Sequence, residues 1–108
     1  MVEWYKDLIK DDFMLNCSDE IICNIINRKI VHGIYCVCLP SNDKNLLDII
    51  NANEFKFPHY DKITTKVIAI CKGKESAVNI VKNLVLDVYK NTGSYDVKKY
   101  FSDKEFGR

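Results

Sequence analysis

Five cysteines and two histidines are the residues of this 108-residue chain with the most chemistry to offer. Cys36 and Cys38 stand two apart, and Cys71 closes a second apolar run. Three thiolates and an imidazole would make a zinc ligand set. However, no C-x-x-C pair occurs, and His32 and His59 each precede a strand. If those strands run parallel, both histidines fall at the opposite end from Cys71, so neither a metal nor a cofactor is expected. Cys38-Leu39-Pro40-Ser41 follows a strand and precedes an expected helix. It resembles one-cysteine C-x-x-S motifs, in which a helix N-terminus lowers the thiol pKa. A thiol enzyme using Cys38 is therefore one reading, with a core cysteine favoured over it. His59-Tyr60-Asp61 carries acid–base groups, but it sits among Phe55, Phe57 and Pro58 and reads as an aromatic loop packed under a sheet. No Ser/His/Asp order or paired-carboxylate motif emerges, and no catalytic residue is assigned.

The best ligand candidates are two strand-to-helix connections. Pro40-Ser41-Asn42-Asp43 and Lys72-Gly73-Lys74-Glu75 would both lie beyond the carboxyl ends of strands, where open parallel sheets bind ligands. Free N–H groups and the helix dipole there favour an anion. Ser41, Asn42, Lys72, Gly73 and Lys74 are the candidate ligand-binding residues, opposed by the charges of Asp43 and Glu75. Gly73 as an ordinary tight turn with solvated lysines is the plainer reading.

Hydrophobic periodicity supplies the elements that would position these groups. Val67-Ile68-Ala69-Ile70-Cys71 is a continuous apolar run, as expected of a strand buried on both faces. After Gly73, the stripe Ala77, Val81, Leu84 and Val88 predicts a long amphipathic helix over 75–91, closed by Gly93 in a left-handed C′ position. Ser94 or Asp96 caps a short final helix, and 102–108 is expected to fray unless Phe106 docks. Ile34 to Leu39 predicts a strand stopped by Pro40. Residues 43–50, with Leu46, Leu47, Ile49 and Ile50, predict a helix. Ser18 is expected to cap a helix over 18–29 whose buried stripe is Ile21, Ile22, Ile25 and Ile26. Trp4, Tyr5, Leu8 and Ile9 stand at helical spacing, so Val2 to Lys10 is read as a short docked helix. Trp4 and Tyr5 would anchor it to the core, or alternatively form a partner-binding patch. The expected fold is a small single α/β domain over 1–108, a short, mainly parallel sheet with a βαβ core covered by helices. Only two strands are evident, so a third is expected from Phe13-Met14-Leu15 or from a second subunit, which makes a homodimer an expectation.

Composition narrows the function. Sixteen basic against fifteen acidic residues leave a formal charge of +1 and no field to gather nucleic acid or anionic membrane. With only Arg28 and Arg108 for bidentate phosphate contacts, nucleic-acid binding is not expected. No apolar run approaches a membrane span and no basic-then-apolar leader opens the chain. Unpaired thiols in apolar runs fit a cytoplasmic protein.

The string Asn45-Leu46-Leu47-Asp48-Ile49-Ile50, then Pro58-His59-Tyr60, Gly73, Ala77, Asn91-Thr92-Gly93, Val97 and Tyr100-Phe101, resembles a family of short, uncharacterised bacterial proteins over about residues 33 to 101. The resemblance implies a stand-alone bacterial domain and brings no activity, ligand or catalytic residue. That family often carries an aromatic where this chain has Lys74, which implies that the cationic turn is not a shared feature. The expected function is a non-enzymatic binding or interaction module. The alternative is a small-molecule or phosphate-ligand binder, possibly an enzyme, using 40–43 and 72–75.

Overall fold

The computed structural model describes residues 2–40 and 44–107. The chain forms β1 (Val2–Lys10), α1 (Ser18–Ile26), β2 (Ile34–Cys38), β3 (Asp48–Asn51), β4 (Thr65–Lys72), α2 (Lys74–Thr92), α3 (Val97–Tyr100) and β5 (Phe106–Gly107). The five strands make one sheet in the order β3-β2-β4-β1-β5. The α/β class is as expected; the mainly parallel sheet is not. Three of the four pairings among the described residues are antiparallel, and only β1 and β4 run together. All five strands come from one chain, which removes the ground for expecting a strand from a second copy.

β4 is the apolar run anticipated from the sequence, and Val67 to Cys71 is fully buried. Its alternation breaks once. Cys38 pairs with Val67 and Val37 with Ala69, so Ile68 is an extra residue opposite β2. This bulge turns both Ile68 and Ala69 toward α2, while Val67 and Ile70 face α1. Each fully buried side chain of this kind contributes roughly 1.5–3 kcal/mol.

β1 is a strand where a helix was expected. The paired apolar residues Trp4–Tyr5 and Leu8–Ile9 suit a helix stripe. They also suit a strand covered on both faces, because neighbours point to opposite sides. Trp4 and Leu8 pack on the α1 side, Tyr5 and Ile9 on the α2–α3 side. Trp4 pairs with Val67 and Ile9 with Ala69, so four residues of β1 stand against Ile68 alone. The exposed Lys6 and Asp7 lie in that excursion. With aromatic and β-branched residues and no N-cap, burial on two faces outweighs helical spacing.

The predicted helix over 43–50 is likewise replaced by β3. Leu46 and Leu47 lie before the strand, and Ile49 and Ile50 pair with Val37 and Cys36. β-Branched residues opposite a waiting strand edge gain more as a ladder than as one helical turn. The amide of Asn53 then ties the next turn back to the sheet. Asn53 Oδ1 accepts from Val31 N–H at 2.9 Å, and Nδ2 donates to the Val31 carbonyl at 2.7 Å.

Helices cover both faces. α1 buries Ile22 and Ile25 but ends at Ile26, which is exposed; Arg28 has φ 60° and lies outside the helix. Ser18 is a buried first residue rather than the cap, and Cys17 holds that position without a side-chain hydrogen bond to the first turn, its thiol donating instead to the Phe13 carbonyl at 3.2 Å. α2 follows its expected stripe, and Gly93 ends it at φ 71° with its N–H on the Tyr89 carbonyl at 2.7 Å. Asp96 caps α3 through Lys99 N–H. The tail docks as β5, with Phe106 against the Tyr5 ring at 5.4 Å. Among the described residues, no helix is long and apolar enough to cross a membrane.

Burial predicts a sharp contrast between two apolar truncations. Ile70→Ala is expected to cost about 2–5 kcal/mol in urea unfolding. Leu86→Ala, on the exposed side of α2, should stay within about 0.5 kcal/mol.

Candidate functional site

Strand direction decides which loops can share a ligand. Ile34 pairs with Lys72 and Cys38 with Val67, so β2 ends where β4 begins. Leu39 N–H reaches the Lys66 carbonyl at 2.9 Å, beside Pro40. Gly73 N–H reaches the Gly33 carbonyl at 2.8 Å, at the other edge of the sheet. Pro40 therefore lies at the opposite edge of the sheet from Lys72, Gly73 and Lys74. Ser41 and Asn42 lie outside the described residues.

The turn at Lys72, Gly73 and Lys74 is built for geometry. Gly73 has φ 90° and ψ 142°, a conformation that side chains resist, although no atom stands within 4 Å of where a Cβ would be. Lys72 lays its ammonium over the Phe13 ring at 4.5 Å, and its N–H donates to Asp11 Oδ2 at 3.0 Å. Asp11 and the first-turn Glu75 put negative charge beside the α2 N-terminus, which disfavours an anion. Lys74 is solvent-exposed.

Trp4 and Tyr5 do not form a partner patch. Trp4 is 4% exposed, in the core with Met14, Ile22 and Ile25. Tyr5 is half-buried, edge-on to Phe101 at 5.3 Å. Trp4 Nε1 is buried without a hydrogen-bond partner.

The thiols are split by the sheet. Cys36 and Cys38 face α1, Cys71 faces α2, and all three are completely buried. Burial pushes each thiol up, Cys71 to about 11 with Asp11 adding to the effect. Cys38 is a sealed core thiol, without the lowered pKa a nucleophile needs. The antiparallel pairing also moves His32 to the Cys71 edge and leaves His59 at the other, so the two histidines are not together as expected. Among the described residues, no group of three or more His, Cys, Asp or Glu side chains is placed to hold a metal.

What the pairing does create is a cleft of about 740 Å³ at the Pro40 edge. Its floor comes from Leu39, Pro40, Ile49, Ile50 and Ile63. One wall, on the α1 side, carries Asp48, Glu54, His59 and Tyr60. Tyr60 packs edge-on to Phe55 at 5.3 Å, and His59 meets Tyr60 at 5.2 Å. Burial raises the Tyr60 pKa first, with Glu54, Cys38 and Asp48 adding to it, so the phenol stays a neutral donor at physiological pH. Asp61, the third member of the expected cluster, turns away and pairs with Arg28 Nη2 at 2.7 Å. The other wall carries Lys66, Lys98 and Phe101. Lys66 stands 5.3 Å from the Phe106 ring centre, on the α2–α3 side of the sheet.

Among the described residues of the candidate ligand connections, Pro40 borders this cleft. His59 and Tyr60 were read as part of an aromatic loop, while Glu54, Lys66 and Lys98 were missed because no local spacing joins them; tertiary closure alone does. No family model, curated protein or solved structure matches the chain.

Three outcomes follow from this geometry. Alkylation of the native protein at neutral pH should label the exposed Cys23 first and Cys17 next, sparing Cys36, Cys38 and Cys71 until denaturant is added. Thiols that ionise near 9.0 when unfolded keep their protons when folded, so the native state binds more protons above that pH. Stability should therefore fall as pH rises between about 9 and about 11, read as a falling urea midpoint. Gly73→Ala should cost about 1–3 kcal/mol through backbone strain alone.

Proposed function

We propose that this chain is a non-enzymatic binding protein that receives a small molecule in the cleft between the end of β2, the Pro58–Asp61 turn and α3. The observation that carries this reading is the cleft itself. At about 740 Å³ it has the size of ligand pockets, generally 300–1,000 Å³, with an apolar floor and a few convergent polar groups. Burial of Cys36, Cys38 and Cys71 supports binding over thiol chemistry. Ser102, on the rim, spends its hydroxyl on the Lys99 carbonyl at 2.7 Å and is not poised as a nucleophile. A small molecule is favoured over a second copy because one chain supplies the whole sheet. The same reading places the protein in the cytoplasm, on five unpaired thiols, and groups it with the short bacterial proteins it resembles.

A fragment titration followed by amide chemical shifts tests it. Shifts are expected to gather on Tyr60, Thr64, Lys98 and Phe101. Thr64 is exposed on the rim, so Thr64→Trp should fill the cleft and abolish the shifts while leaving unfolding nearly unchanged. A ligand at one hundred times its Kd should add about 2.7 kcal/mol to wild-type stability and nothing to the variant. Shifts gathered at Lys72–Glu75, or no fragment bound at all, would contradict the proposal.

A further inference from the structure

We infer that the cleft selects a dipolar ligand, an apolar body with a cationic nitrogen at one end and a carboxylate-like anion at the other. This rests on the cleft being the binding site, and it adds the chemical class of the occupant. The signs of charge are sorted by the sheet. On the α1 side Glu54 stands beside Tyr60, close enough to disfavour the phenolate, with Asp48 nearby. On the α2–α3 side the cleft carries the ammonium groups of Lys66 and Lys98. Side-chain alternation gives both sides an apolar share of the cleft, with Ile50 on the α1 side and Leu39 on the α2–α3 side. A ligand crossing the sheet edge meets a cation-seeking wall, then Leu39, Pro40 and Ile63, then an anion-seeking wall.

Glu54 and Lys98 are exposed, and among the described residues neither forms an ion pair within the chain. Their charges are open to a ligand. The same arrangement rejects single-sign molecules: a simple amine has nothing to offer Lys66 and Lys98, and a simple acid faces Glu54 and Asp48. Opposing charge at one end offsets what is gained at the other.

The test uses 6-aminohexanoate and 8-aminooctanoate as dipolar probes, each against the unsubstituted carboxylate and amine of equal length. Binding to the full chain is followed by amide shifts. One dipolar probe should bind about ten-fold more tightly than its single-charge counterparts, as expected for one added charge-assisted contact. It should shift Glu54 and Lys98 together. Glu54→Gln should weaken the dipolar probe and the amine but not the carboxylate, and Lys98→Gln should weaken the dipolar probe and the carboxylate but not the amine. Both sites are exposed, so neither change threatens the fold. Amine or carboxylate binding in the cleft as tightly as the dipolar probes overturns the dipolar inference and leaves the cleft reading standing. No cleft shift from any probe, in a protein whose cleft also takes no fragment, overturns both.

Discussion

The structure depends on burying β4 on both faces while its two neighbours run in opposite directions. β1 pairs with it in parallel and β2 antiparallel, with α1 above and α2 below. A strand covered on both sides admits no polar residue between Val67 and Cys71, and none is present. Its backbone groups must all find ladder partners, which fixes both neighbours. The extra residue at Ile68 adds an apolar side chain on the α2 side, while the paired residues Val67, Ala69, Ile70 and Cys71 keep their alternation between the two faces. Ala69 and Ala77 meet there, and this close approach seats the long helix on the sheet.

Much of this was legible from local pattern. The β4 run, the α2 stripe, the Gly93 stop and the Asp96 cap each rest on a few adjacent residues, and each stands where expected. The misreadings share one physical source. Trp4–Tyr5 with Leu8–Ile9, and Leu46–Leu47 with Ile49–Ile50, are apolar pairs at helical spacing. A strand covered on two faces produces similar pairs, and only the neighbouring strand decides between them. Strand direction was invisible for the same reason. The helix expected between β2 and β4 suggested a parallel crossover; with β3 there instead, β2 folds back on β3 and lies antiparallel to β4.

That reversal moved the chemistry. Pro40 and the Lys72–Lys74 turn, expected to face one ligand, stand at opposite edges, and the cationic turn is occupied by Asp11, Phe13 and Gly33. The edge that gained a cleft drew its polar groups from four separate segments: β3, the turns after it, the start of β4, and α3. Glu54 and Lys98 have no sequence relation that would pair them, and of the cleft residues the sequence drew attention to Pro40, His59 and Tyr60 without joining them. The cysteines illustrate the opposite case. The apolar setting of Cys36, Cys38 and Cys71 marked these three as core residues, and the sheet encloses them there.

The central claim is that β2 runs antiparallel to β4, because the cleft, the separated loops and the sealed thiols all follow from it. Cross-strand nuclear Overhauser contacts test it most directly. The account predicts α-proton contacts within the register Tyr35–Cys71, Cys36–Ile70 and Val37–Ala69, and a protected Leu39 amide bonded to Lys66. Contacts joining Leu39 and Pro40 to Lys72 and Gly73 would instead show a parallel pair, and would contradict the account.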